Sequence, residues 1–425
     1  MSIAISASQS CQTLADWLCY IEQSHPIHQI ELGLERVLSV AKRANLDQLP
    51  GKVILIGGTN GKGTTARLME QLLLAQGYSV GVYSSPHLLH FNERLRINDS
   101  DIADADWVAA FAFVEALRAE TPLTYFEFTT LVAFHLLRQQ QPDYCMIEVG
   151  LGGRLDATNI ISPDISVITT IDLDHQDWLG DNRESIGFEK AGIFRSQLPV
   201  VIGDLDPPQS MLNKAAELGC QLVQVQQQYQ YTEQQHCWHW QSQSAGYKEL
   251  PIPAMPVQNA ACALAVLELL AVLPAQTTLE QVLKTMTLPG RMQWFNHSPD
   301  VVLDVAHNPQ SARYLATQLT KLKGNYSRCI ALVGMLKDKD ISQTLLPLTH
   351  LFDQWHLVTL VGARGASAQQ LADNIDGLAV NFCSHDDVYL AYQEIIAELK
   401  PDELLVVFGS FFTVSAVLAG HQEAK

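Results

Sequence analysis

Val53-Ile54-Leu55-Ile56-Gly57-Gly58-Thr59-Asn60-Gly61-Lys62-Gly63-Thr64-Thr65 is the stretch on which the fold turns. An apolar run reads as a buried strand, the glycines as a tight turn, and Arg67-Leu68-Met69-Glu70-Gln71-Leu72-Leu73-Leu74 beyond them has helical spacing. Strand, glycine-rich turn and helix are the context of a phosphate-binding loop. Glycines let backbone N–H groups approach phosphate oxygens, and the helix N-terminus adds a favourable dipole. Lys62 is placed to neutralise β/γ-phosphate charge. One position departs from the common Walker pattern: Gly63 follows the lysine, where a magnesium-binding Ser or Thr normally stands. The metal must find its ligands elsewhere.

Outward from the loop, apolar runs recur at Ser79–Tyr83, Tyr144–Val149, Ile165–Thr170 and Pro199–Ile202, with amphipathic segments between several of them. This alternation predicts an α/β fold with a mainly parallel sheet, whose ligands bind beyond the carboxyl ends of the strands. Gln221 to Tyr247 is rich in Gln and aromatics and alternates by two, which predicts half-exposed antiparallel strands at a sheet edge, with a disordered loop as the alternative. His236-Cys237-Trp238-His239-Trp240 lies in it and reads as strand rather than metal site. Helices are predicted over Gln258–Leu273, opened by Asn259, and over Leu279–Met286. Leu288-Pro289-Gly290-Arg291 reads as a hinge. The strand–helix rhythm then restarts at Val301–Asp304, Cys329–Val333, Gln354–Leu360 and Leu404–Phe408, predicting a smaller, Rossmann-like α/β domain. The expected domains are therefore 1–290 and 291–425.

The chain has 425 residues, 47% hydrophobic and 17% charged, with a net charge of −18. This acidity argues against a nucleic-acid or anionic-membrane partner, since both need clustered Lys and Arg, but leaves room for small anionic substrates. Eight cysteines without a CxxC pair point to a reduced, cytoplasmic protein. No basic region followed by an apolar core marks the N-terminus. Leu404–Gly420 carries no charged residue, yet it is shorter than the roughly 20 residues a spanning helix needs.

Several segments after the strands carry chemistry. Glu148 ends a buried strand, where phosphate-loop enzymes place a magnesium-holding carboxylate. Gly150-Leu151-Gly152-Gly153-Arg154-Leu155-Asp156-Ala157 offers a tight turn, an anion contact and an acceptor, or is simply a structural turn. His175 is a metal ligand or a structural histidine. Ser84-Ser85-Pro86-His87 offers a hydroxyl to replace the one missing beside Lys62, or is a plain turn. By composition alone Lys190 reads as a surface lysine.

Taken in order, these motifs resemble the dihydrofolate synthase/folylpolyglutamate synthase family of the Mur ligase superfamily. The carrying segments are Leu32–Val37, Gly58–Thr64, Tyr83–Leu88, Leu123–Glu127, Glu148–Asn159, Asp174-His175, Glu189–Ile193, Pro289-Gly290-Arg291 and Asp304–Pro309. The resemblance implies that Ser85, Glu148 and His175 are magnesium ligands, for one or two ions. It implies that Thr59, Asn60, Gly61 and Lys62 cradle the ATP phosphates, with Asn259, Arg291 and Asp304 as further ATP contacts. Thr124, Tyr125, Phe126 and Glu127, together with Leu155, Asp156 and Ala157, resemble pterin-binding segments. Lys190 is similar to the lysine that family members carbamylate to N6-carboxylysine. The implied reaction joins L-glutamate to dihydropteroate and to reduced folates through an acyl phosphate, with Lys62, Arg291, Lys190 and His175 at the catalytic centre. His175 is a base for the glutamate amine only if it is not a metal ligand. Closure at the Gly290 hinge is expected to exclude water, and a monomer is expected. Met292, Asp172 and Phe412 depart from the family pattern without touching an assigned ligand. A ligase for cell-wall precursors, a folylpolyglutamate synthase without the first activity and a non-enzymatic nucleotide switch are the rival readings.

Overall fold

The structure, a computed structural model, describes residues 11–27, 29–375 and 381–423. Strands β1 (Lys52–Gly57), β2 (Val80–Tyr83), β3 (Leu95–Ile97), β4 (Ser100–Asp101), β5 (Tyr144–Glu148), β6 (Ile165–Ile168), β7 (Pro199–Ile202) and β8 (Gln221–Gln224) form an eight-stranded sheet, in the order β4-β3-β2-β5-β1-β6-β7-β8. From β2 to β8 all neighbours run parallel, while β3 and β4 add an antiparallel edge. Every apolar run singled out in this half of the sequence is one of these strands. Their side chains are apolar on both faces because helices cover both faces of a parallel sheet. β1 lies between β5 and β6, with Ile56 opposite Glu148 and Gly57 opposite Ile168. The phosphate loop and Glu148 therefore leave the sheet side by side.

The stretch 221–247 differs from its expectation. Gln221–Gln224 is not antiparallel; it pairs parallel to β7 as the last strand of the large sheet. The antiparallel part is a separate three-stranded sheet of β9 (Tyr229–Glu233), β10 (Cys237–Ser242) and β11 (Gly246–Pro251). Within β10, Trp238 and Trp240 are buried and their neighbours are not. The Trp240 indole donates to Ala261 O at 3.1 Å, on the helix Val257–Leu269. Period-two alternation thus packs this small sheet on a helix, leaving His239 on the other face. Among the described residues no three His, Cys, Asp or Glu side chains gather as a metal site.

A six-stranded sheet comprises β12 (Gln293–His297), β13 (Asp300–Leu303), β14 (Arg328–Val333), β15 (Gln354–Val358), β16 (Phe382–His385) and β17 (Glu403–Phe408), ordered β12-β13-β17-β14-β15-β16. Only the β12–β13 pair is antiparallel. Its core centres on Trp355, Phe352 and Phe408, the last two stacked with ring centroids 5.8 Å apart. The uncharged stretch Leu404–Gly420 is β17 followed by the helix Phe411–Glu423, and no described helix is long and apolar enough to cross a membrane. The chain divides into two compact units: Met1–Ile171, Arg183–Pro253 and Val257–Met286 in one, and Asp172–Asn182, Ala254–Pro256 and Thr287–Lys425 in the other. The first holds the eight- and three-stranded sheets, the second the six-stranded sheet.

Candidate active site

In the first unit the phosphate loop is built from both of its flanks. Thr59 N–H donates to Thr170 O at 2.7 Å, and Thr169 Oγ1 donates to Asn60 O at 2.6 Å, so the end of β6 fixes the loop's path. Gly61 has a φ of +89°, and a Cβ there would lie 2.5 Å from Asn259 Oδ1. Glycine is needed both for that left-handed turn and for the approach of Asn259. The helix Lys62–Leu74 starts directly after it. The Lys62 ammonium donates to Gly58 O at 3.1 Å and Thr59 O at 3.3 Å, and stands 3.9 Å from Glu148 Oε1. Glu148 is buried. Its Oε2 is the nearest atom to a Cβ built on Gly63, at 3.5 Å, so a carboxylate oxygen from β5 stands where the Walker hydroxyl is missing.

Lys190 overturns its compositional reading as a surface residue. It lies in the last turn of the helix Arg183–Ala191, is 5% exposed, and donates to Gly58 O at 3.0 Å. Two lysines therefore converge on one loop carbonyl. The turn before Lys190's helix end is locked to the glycine-rich segment: Arg154 N–H donates to Glu189 O at 2.8 Å, and the Arg154 guanidinium pairs with the Glu189 carboxylate at 2.9 Å.

A second cluster lies in the same unit. Thr124 caps the helix Tyr125–Gln140 in a reciprocal capping box with Glu127. The Glu127 carboxylate accepts from Thr124 N–H at 2.8 Å and from Arg36 Nε at 2.8 Å. The Phe126 ring would meet a Cβ at Gly150 at 2.6 Å, so only glycine lets it lie on that turn. Asp156, on the turn, accepts from Leu151 N–H at 2.8 Å, Thr158 N–H at 3.0 Å and Thr158 Oγ1 at 2.5 Å. Burial pushes its carboxyl up, against the pull of these hydrogen bonds. Leu155 O receives Gly33 N–H at 3.4 Å. The two pterin-like segments and the Leu32–Val37 segment thus form one cluster.

Ser85 follows β2, whose Tyr83 is opposite Ile147 of β5, so it leaves the sheet beside Glu148. His87, two residues on, accepts from Arg94 Nε at 3.0 Å. Burial first, then the Arg94 charge, push the His87 imidazole down to about 4, so it is neutral at physiological pH.

In the second unit Asp174 is a hub. It accepts from the Lys339 ammonium at 2.6 Å and from Asn308 Nδ2 at 3.1 Å, and lies 3.7 Å from His307 Nε2. Burial opposes its ionisation, but nearby His307 and the Lys339 charge outweigh it and hold the carboxyl well below the usual range. Lys339 also stands 3.4 Å from His175 Nε2. Asp304, buried after β13, accepts from Met292 N–H and Ala306 N–H, each at 2.8 Å. Burial raises its carboxyl and the nearby Arg291 charge lowers it, with burial the larger effect. The Arg291 guanidinium lies over the Phe411 ring, 5.2 Å from its centroid.

Comparison with known proteins places this geometry. The family model of the Mur ligase middle domain matches residues 56–269, and that of the Mur ligase glutamate ligase domain matches residues 290–411. A Haemophilus influenzae dihydrofolate synthase/folylpolyglutamate synthase is 43% identical over 95% of this chain and 96% of its own length. The chain belongs to the dihydrofolate synthase/folylpolyglutamate synthase family of Mur ligases. Among solved structures, Escherichia coli FolC in complex with DHPP and ADP superimposes with a TM-score of 0.93, at 42% identity, covering 97% of this chain and 99% of that one. A Yersinia pestis bifunctional folylpolyglutamate synthase/dihydrofolate synthase complexed with AMPPNP and Mn ion gives 0.90, at 46% identity, covering 97% and 98%.

For this Mur ligase the structure gathers Thr59, Asn60, Gly61, Lys62, Glu148, Lys190 and Asn259 around one loop. It gathers Thr124–Glu127 with Leu155–Ala157, and sets Arg291 near Asp304. Ser85 and Glu148 leave neighbouring strands of the first unit, and His175 belongs to the second. Sequence reading missed Lys339, His307 and Asn308 as partners of Asp174. The Asp304–Pro309 motif contained two of them, but Lys337-Asp338-Lys339-Asp340 reads only as a solvated charge run.

Proposed function

We propose that the chain is an ATP-dependent ligase that joins L-glutamate to dihydropteroate, giving dihydrofolate, and adds further glutamates to reduced folates. The observation that carries this reading is the buried Glu148 carboxylate beside Lys62, at a phosphate loop that lacks its own hydroxyl. A carboxylate is a poor electrophile, so an oxygen of the substrate carboxylate attacks the γ-phosphorus, ADP leaves, and an acyl phosphate results. The amine nitrogen of L-glutamate then attacks the acyl carbon, loses a proton, and phosphate leaves. The first step rests on positioning and on cancelling charge. Thr59, Asn60 and Gly61 cradle the phosphates through their backbone, Lys62 and Arg291 offset the developing charge, and Asn259 and Asp304 contact the rest of ATP.

Ser85, Glu148 and His175 are the proposed magnesium ligands. One carboxylate, one hydroxyl and one imidazole form an oxygen-rich, sparse set, which suits an ion that keeps waters and phosphates in its shell. Bound there, magnesium supplies electrostatic stabilisation of phosphate charge. Lys190 is proposed to carry a carbamate. Its burial beside Lys62 supports this, because a carbamate exchanges one of two crowded cations for an anion suited to a second magnesium. Thr124, Tyr125, Phe126, Glu127, Leu155, Asp156 and Ala157 are proposed to line the pterin subsite. Residues 1–290 bind ATP and pterin in this reading, 291–425 complete the ATP and glutamate sites, and the enzyme works as a cytoplasmic monomer.

ADP release tests the reading. Dihydropteroate and a reduced folate are each supplied with and without L-glutamate. Glutamate-dependent release is expected with both. Glutamate-dependent release with the folate but not with dihydropteroate identifies a folylpolyglutamate synthase, and equal release without glutamate removes the ligase assignment.

A further inference from the structure

One buried cation near the pterin-like segments has no anionic partner. Arg94 is 3% exposed, yet no carboxylate pairs with it among the described residues. Its Nε is spent on His87 Nδ1 at 3.0 Å. The neighbouring Glu93 carboxylate is already committed to the backbone N–H groups of Leu88, Leu89 and His90, at 2.7, 2.8 and 2.7 Å. The hydroxyl of nearby Tyr83 is 3.1 Å from Thr130 Oγ1. The guanidinium is held between aromatic rings, 5.4 Å from the Phe91 centroid and 5.8 Å from that of Tyr125. A buried charge without a partner is costly, so proteins pair such groups. The planar fork, fixed by stacking and by one hydrogen bond, leaves its terminal nitrogens for a bidentate anion.

Position identifies the anion. Arg94 O accepts from Ser84 N–H at 2.9 Å, which places the residue across from the strand end that leads into Ser85. Tyr125, whose ring it faces, belongs to the capped segment Thr124–Glu127. Arg94 therefore lies between a proposed metal ligand and a proposed pterin contact. The group of the substrate that must reach from the pterin towards the transferred phosphate is its carboxylate. We propose that Arg94 is a substrate-binding residue that receives the carboxylate of the pteroyl substrate and orients it for phosphorylation. This rests on the functional reading above.

The test is equilibrium binding of two probes to the full chain with ADP and magnesium present: dihydropteroate and its analogue lacking the carboxylate. Arg94→Gln is expected to weaken dihydropteroate about 10- to 100-fold, the span of a charge-assisted pair. Affinity for the analogue and for ADP should hold within about twofold. Arg94→Lys, which keeps a cation without the fork, is expected to fall between, which guards against an effect of misfolding. In turnover, KM for dihydropteroate should rise while KM for ATP stays. A rise confined to KM for ATP would make the γ-phosphate the ligand and overturn the proposal. Equal losses for both probes and ADP would make Arg94 structural and overturn it too. If the wild-type chain does not bind dihydropteroate, the functional reading fails along with it. Wild-type binding with unchanged Arg94→Gln affinity sinks the Arg94 assignment alone.

Discussion

Lys62 and Lys190 both donate to Gly58 O, at 3.1 and 3.0 Å, with Glu148 beside Lys62. Such crowding of charge makes sense where phosphates must be held, and it sets what single substitutions should do. Lys62→Ala is expected to lower glutamate-dependent ADP release by about 10²- to 10³-fold, the loss typical of one charge-stabilising group. The fold should persist, because alanine is a better helix former than lysine at the start of the helix Lys62–Leu74. Circular dichroism and the release assay together check this, and near-wild-type turnover would remove Lys62 from the reaction. Asp156 is a different case. Its carboxylate is already used by Leu151 and Thr158 of its own turn. Asp156→Ala therefore costs stability, about 1–3 kcal/mol from the orphaned donors, readable by urea unfolding. If the turn also lines the pterin subsite, dihydropteroate addition should suffer more than folate extension. Equal loss in the two assays would leave Asp156 with the turn alone.

Among the elements, the parallel strands were legible because burial on both faces makes them apolar runs, as in Val53–Ile56 and Pro199–Ile202. The edges were not. β3, β4, β12 and β16 are short and carry polar or exposed residues, such as Ser100-Asp101 and Phe382–His385, so hydropathy does not separate them from loops. The same limit makes Gln221–Gln224 read as part of the antiparallel stretch: nothing in a four-residue, half-exposed strand encodes its direction. Site residues were legible through motif order. Partners brought from far in sequence, such as Lys339 for Asp174 or Arg36 for Glu127, were not. Glu127 shows the consequence. The resemblance implies a pterin contact there, and the structure shows in addition that its carboxylate serves the Thr124 cap and Arg36. Thr124→Ala is thus expected to lower stability by about 0.5–2 kcal/mol, as loss of an N-cap does. Glu127 loses its reciprocal partner as well, so the effect should lie at the upper end. A chemical denaturation midpoint unchanged by the substitution would contradict the capping role.

On the scale of the whole molecule, the chain sets its phosphate loop at the carboxyl end of the central strand of a sheet that is buried on both faces. β1 is flanked by β5 and β6, and the loop is tied to Thr169 and Thr170 at the end of β6. The site is therefore built mainly from strand ends that exist only when the sheet is paired, and the unfolded chain has no equivalent of it. A ligand that binds the folded state alone stabilises it by RT ln(1 + [L]/Kd), about 2.7 kcal/mol at a hundredfold excess over Kd. ADP with magnesium at that excess is expected to raise the unfolding free energy by this amount and to shift the thermal midpoint upward. Lys62→Ala should shift far less at the same nucleotide concentration, because its Kd is raised, and should recover part of the shift as nucleotide is increased. Arg94→Gln should shift as the wild type does, since its proposed ligand is the pteroyl carboxylate and not the nucleotide. A Lys62→Ala protein stabilised as strongly as the wild type would show that the glycine-rich loop is not where the nucleotide's phosphates sit.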